Sequence, residues 1–246
     1  MIGRSGNPTL NDKTFDNVKG HYGQETMTLE GTVNKSFITL AILLGAAFCT
    51  WAMYYEGRNV APYAVLGAIG GFILSLVISF KPSSSRVLVP VYAALEGLFL
   101  GALSAIYDEQ FHGITLQAAL LTMSVFLALL LAYKTRVVRA TENFKLGVIA
   151  ATAGIAIVYL INIVLHFFGM NVPYLHDNGA IGIGISLVIV VIAALNLVLD
   201  FDFIESGARN GAPKYMEWYG AFGLTVTLVW LYVEIIRLLA KLRSRD

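Results

Sequence analysis

Seven long apolar runs, near residues 35–55, 60–80, 87–107, 116–133, 146–168, 180–204 and 218–239, constrain this chain more than any other feature. Each matches the roughly 20 helical residues needed to cross a ~30 Å hydrocarbon core. Lipid leaves the backbone no water to bond with, so such runs fold as helices and pack as a bundle. Of the 246 residues, 57% are hydrophobic and 13% charged, outside the range of soluble domains. Trp51, Tyr54, Tyr55, Tyr107, Tyr133 and Trp218 fall at the ends of runs, as an interfacial aromatic belt requires. The reading is an all-α membrane protein with a flexible cytoplasmic N-terminal tail over 1–33 and a single seven-helix transmembrane domain over 34–243.

The positive-inside rule sets the expected orientation. With the N-terminus cytoplasmic, twelve of the seventeen basic residues lie inside: Arg4, Lys13, Lys19, Lys35, Lys81, Arg86, Lys134, Arg136, Arg139, Lys145, Arg209 and Lys214. Seven full crossings would place Lys241, Arg243 and Arg245 outside, against the rule. Either the last segment dips in and returns, or it crosses despite its charges.

Several enzyme and binding classes find no support. There is no HxxxH or HExxH spacing for zinc, no glycine-rich phosphate loop and no histidine placed to activate Ser104 or Ser186, so the chain is expected not to be an enzyme. Seventeen basic and sixteen acidic residues nearly cancel, and nothing suggests nucleic acid as a partner. The small residues Gly67, Gly70, Gly71, Gly97, Gly101, Gly182, Gly184 and Ser186 read as close helix contacts.

Ionisable residues within the runs carry the functional argument, because a charge at mid-helix costs at least ~2.5 kcal/mol on insertion scales. Glu96 lies in the middle of the third run. Asp200 and Asp202 close the sixth with Glu205 at its edge, and Glu234 and Arg237 lie late in the seventh. Asp200 and Asp202 are ~200° apart around a helix and face different surroundings, whereas Asn196 shares the face of Asp200. Glu234 and Arg237, three apart, can pair locally. Glu96 is expected to need a partner from another helix, or a proton. Carboxylate oxygens suit hard cations such as Ca2+, and close carboxylates titrate together.

The run LNLVLDFDFIESGARNGAPKYMEWY and the apolar helix after it, with VYAALEGLFLGALS and GVIAATAGIAIVYLIN upstream, resemble the bacterial branch of the Bax inhibitor family, the transmembrane Bax inhibitor motif superfamily. The resemblance runs from about residue 27 to 243. It implies six helices around a central hydrophobic one, and a calcium leak controlled by a proton-sensing pair of aspartates on the last two helices. The sixth-helix aspartate falls on Asp200 or Asp202, with Asp200 preferred. Counting back from the arginine that Arg237 matches lands near Thr227, which is no acid. Glu234 or Glu217 is then expected to supply the missing carboxylate, or Asp202 to pair with Asp200 through water. Arg86 is the expected basic partner holding the site closed.

On this reading the chain is a multi-pass protein of a bacterial inner membrane. Ca2+ is its permeant or bound ion, held by Asp200 and Asp202, with Glu96 in the sensing site. Protons are the regulator and no resident cofactor is expected. Its partners are the lipid bilayer and other membrane proteins. Two other classes remain open: a membrane interaction protein modulating a protease or stress response, in which the acids are structural, and a proton-coupled transporter, for which no internal repeat is visible.

Overall fold

The computed structural model describes residues 25–170, 172–173, 175 and 177–244. They form seven long helices: α1 (Leu29–Tyr55), α2 (Ala61–Phe80), α3 (Ser85–Gln110), α4 (Ile114–Lys134), α5 (Glu142–Phe167), α6 (Ala180–Arg209) and α7 (Met216–Arg243). All seven are long and apolar enough to cross a membrane. A 3-10 turn, Pro82–Ser84, leads into α3.

α1 starts six residues before the expected run and five before the expected domain boundary at 34. Thr28 caps it, accepting from the Gly31 amide at 2.9 Å, and Glu30 lies in its first turn, where an acid suits the helix dipole. The apolar run missed this turn because Glu30, Gly31, Thr32 and Asn34 interrupt its apolar residues. The portion of the expected tail that covers residues 1–24 lies outside the described residues.

α7 is the central helix. Eighteen of its 28 residues are buried, against two of the 26 in α5, Lys145 and Val148. Leu197 and Val198 of α6 and Leu231 and Ile236 of α7 form the innermost apolar layer. Outward, side chains such as Phe37, Phe72, Ile157 and Val188 are exposed and face lipid. Glycines set the spacing of α1, α2 and α3. A Cβ on Gly97 or Gly101 would sit 2.3 or 2.2 Å from the Leu43 or Ala47 carbonyl oxygen, and one on Gly67 2.4 Å from that of Leu95. Gly67, Gly97 and Gly101 are thus backbone contacts, as lipid-embedded packing favours, whereas Gly70 and Gly71 meet the side chains of Leu95 and Glu96 and Gly184, expected as a close contact, has no described atom near its Cβ position.

The last segment runs the whole length of the bundle. Near its start the Met27 amide donates to the Ala212 carbonyl, and Ser85 Oγ donates to the Tyr215 carbonyl at 3.0 Å. At its other end Arg243 donates to the Phe111 and His112 carbonyls at 3.2 and 2.9 Å, and Lys241 to that of Leu175 at 2.7 Å. Those carbonyls belong to the α3–α4 and α5–α6 connections, so α7 ends on the face opposite the start of α1. The two cations satisfy themselves on backbone oxygens there, which removes the need for a return dip.

Candidate functional site

Asp200 is fully buried in α6, and Asn196, one turn earlier, is 2% exposed. The Asn196 amide donates to Thr152 Oγ1 of α5 and to the Ile192 carbonyl, both at 2.8 Å. The level of Asp200 follows from its neighbours. Phe203 stacks on Tyr219 with centroids 6.2 Å apart, and Ile204 lies beside Gly220. In an antiparallel pair this sets Asp200 at the level of Phe222 to Leu224, roughly 14 Å inside the end of α6 at 1.5 Å per residue.

Asp202, two residues on, meets other surroundings. Its carboxylate pairs with Lys145 Nζ of α5 at 2.8 Å and accepts from the Tyr133 hydroxyl at 3.4 Å. The Lys145 side chain is only 6% exposed and has Glu142 as a second, more distant partner at 3.6 Å. Tyr133 also donates to Glu205, which pairs with Arg136 at 3.3 Å and with Arg209 one turn away. A compact cluster of acids and cations around one tyrosine thus closes this end of α4, α5 and α6. Arg86, the expected basic partner, is exposed in the first turn of α3 and forms no ion pair among the described residues. Lys145 holds that place, because α5 begins beside the end of α6.

The expected Ca2+ pair is not assembled as a ligand set. The turn of the helix sends Asp200 and Asp202 to different sides, and among the described residues no three His, Cys, Asp or Glu side chains are grouped to hold a metal.

Neither proposed substitute carboxylate reaches Asp200. Glu217, fully buried, lies seven residues from Leu224 along α7, about 10 Å in height. It accepts from the Thr28 amide at 3.0 Å and hydroxyl at 2.8 Å, and pairs with Lys214 at 3.1 Å, fastening the start of α1 to that of α7. Gly31 makes room, since a Cβ there would collide with the Glu217 carboxylate. Glu234 lies ten residues from Leu224 toward the far face, about 15 Å away. It bonds Arg237 at 3.3 Å, as the three-residue spacing suggested, and accepts from the Tyr159 hydroxyl of α5 at 2.9 Å. Glu96 is partly buried on α3 against Gly71 of α2. Tyr92, one turn earlier on the same helix, is its electrostatic neighbour.

One pattern escaped sequence reading. Lys145, Thr152 and Tyr159 recur every seven residues on α5 and bond Asp202, Asn196 and Glu234 in turn. A seven-residue period keeps side chains on one helical face. The signal was present in the sequence, but Lys145 was read only as one of the cytoplasmic charges. Lys241, 9% exposed and bonded to three neutral acceptors, was likewise read only as a topology charge.

A family model described as Bax inhibitor 1 like matches residues 7–244. The chain belongs to the Bax inhibitor 1-like family. Comparison with curated proteins and with solved structures gives no match. Within this Bax inhibitor 1-like chain, Thr227 is 3% exposed and stands three residues from Leu224, within one turn of the level of Asp200. The position that the resemblance assigns to a second acid therefore lies near Asp200, and a hydroxyl occupies it.

Proposed function

We propose that this membrane protein is a pH-sensitive cation leak that admits Ca2+, with Asp200 as the central carboxylate. The observation that carries the reading is the complete burial of an aspartate about 14 Å inside an apolar bundle. A carboxyl group at that depth is costly and is by default a functional candidate. Neutral, Asp200 is compatible with a dry, closed bundle; ionised, it draws in water and a cation. The Lys145–Asp202 pair and the Glu205 cluster close the adjoining end, so a path past Asp200 opens by loosening α5 from α6. With Thr227 in place of an α7 acid, proton sensing here rests on Asp200 without a carboxylate opposite it on the last helix. Placement in a bacterial inner membrane with a cytoplasmic N-terminus belongs to the same reading, supported by the lysines and arginines of the Asp202 end.

The test is Ca2+ entry into proteoliposomes scanned from about pH 5 to pH 8, the span over which coupled or buried carboxylates titrate. The expected result is a protein-dependent flux that rises with pH, and whose pH dependence is lost in Asp200→Asn. An unchanged pH profile in that variant removes Asp200 from the mechanism. A second reading, an interaction protein with structural acids, is favoured by the way Glu205, Glu217 and Glu234 each fasten one helix or connection to another. On that reading Asp200→Asn lowers stability and no preparation carries flux.

A further inference from the structure

Two cavities meet at the far half of the bundle. One, of about 370 Å3, is polar and lies at the end of α7, where Glu234, Arg237, Lys241 and Asn178 line it. The other, of about 540 Å3, is an apolar slot between α5 and α6, walled by Ala151, Gly154, Gly184 and Ile192. Tyr159, Leu175 and Ile189 line both, so the two adjoin.

Their charges and depths are those of an amphiphile. In the polar cavity a pair of cations faces a single acid, and that acid is already engaged by Arg237 and Tyr159. Lys241 gives its ammonium protons to the Leu175 carbonyl at 2.7 Å, the Gly182 carbonyl at 3.2 Å and Ser186 Oγ at 2.8 Å. It has no carboxylate partner among the described residues. Arg237 lies over the Tyr159 ring, 5.9 Å from its centroid, and donates one bond to Glu234, leaving guanidinium donors for a ligand. Asp177 lies close enough to act electrostatically on Lys241 without forming an ion pair with it. The slot runs inward from there along residues 151–159 of α5, about 12 Å, close to the ~15 Å depth of one leaflet. It stays open because of its glycines. A Cβ on Gly154 or Gly184 would have no described atom within 4 Å.

We propose that these adjoining cavities bind one membrane phospholipid of net negative charge, its phosphate on the remaining Arg237 donors and within the field of the Lys241 ammonium, and an acyl chain between α5 and α6. The bundle presents the cations where a headgroup lies and the slot where a tail lies. Net negative charge is required because a zwitterionic headgroup would bring its own cation toward Arg237 and Lys241.

The experiment uses the full chain purified in detergent, with binding read by native mass spectrometry and thermal melting. The probes are phosphatidylglycerol, phosphatidylcholine and inorganic phosphate. Phosphatidylglycerol is expected to be retained and to raise the Tm, phosphatidylcholine to bind about tenfold more weakly, and inorganic phosphate to have no effect. Lys241→Ala and Arg237→Gln should reduce phosphatidylglycerol binding to the phosphatidylcholine level. Gly184→Leu places a side chain in the slot without touching the cations; it should weaken phosphatidylglycerol binding while the lipid-free Tm stays unchanged. Equal retention of the two lipids overturns the proposal. So does phosphatidylglycerol binding by Gly184→Leu that matches the parent, and so does stabilisation by inorganic phosphate alone, which would mark a small-anion site with no use for the slot. Because Gly184 faces open space, that variant keeps the test decisive even if Lys241→Ala fails to fold.

Discussion

Breaking the pair between Lys145 and Asp202 should destabilise the bundle asymmetrically. The two charges are 2.8 Å apart, so their attraction is about 1.5 kcal/mol at the dielectric of water and about 6 kcal/mol at an effective value of 20. Desolvation offsets much of this, more for Lys145, whose side chain is 6% exposed, than for Asp202 at 23%. Asp202→Asn leaves a nearly buried ammonium whose other carboxylate, Glu142, is 3.6 Å away and mostly in solvent. Lys145→Met leaves a carboxylate that still reaches water and accepts from Tyr133. The expected losses are about 3 kcal/mol for Asp202→Asn and about 1.5 kcal/mol for Lys145→Met. The double variant should lose less than the two together, with a coupling of about 2 kcal/mol. Denaturant melts of all four proteins in one detergent, followed by circular dichroism, measure it. Losses that add within ~0.5 kcal/mol, or a larger loss for Lys145→Met, would refute the reasoning.

Gly101→Leu should push α1 from α3, because even a Cβ there meets the Ala47 carbonyl at 2.2 Å; overpacking of this kind costs about 1–3 kcal/mol and would appear as a lowered Tm. Gly31→Ala should collide with the Glu217 carboxylate and free the start of α1, increasing proteolytic cleavage near residue 28 while helix content holds. Thr227→Asp places a second carboxylate within a turn of Asp200, and the flux proposed above should then respond more steeply to pH; an unchanged slope would separate Thr227 from the sensing site.

The helices were legible because apolar length alone decides whether a segment can cross a bilayer, and the chain interrupts each run with polar connections. Partners were legible only within a helix. Glu234 with Arg237 followed from three-residue spacing, and Tyr92 with Glu96 was open to the same reasoning. Contacts across the bundle were not. Nothing local states that Lys145 reaches Asp202, or that Glu217 fastens Thr28 from 189 residues away. The run of α7 along the whole bundle was hidden for the same reason, since the carbonyls that satisfy Lys241 and Arg243 come from two distant connections. Height was the other missing coordinate. Glu217 and Glu234 are both acids of the last helix, but only the stacking of Phe203 on Tyr219 fixes how far each stands from Asp200.

The manner in which α5 is held bears on which acid is functional. Lipid is as apolar as leucine, so no hydrophobic force drives one membrane helix onto another, and close packing or polar contacts must do so. α1, α2 and α3 use glycines and close packing. α5 buries two residues, leaves an open slot beside α6, and bonds to the bundle through Lys145, Thr152 and Tyr159. Asp202 and Glu234 are therefore joints, and charge there is explained by the helix it fastens. Asn196, one turn from Asp200, carries the middle joint, so motion of α5 reaches the face of Asp200 directly. On the proposed function, a proton or cation arriving at Asp200 would act on the helix with the fewest buried residues, and the bundle could change there without repacking the glycine-lined interfaces of α1, α2 and α3.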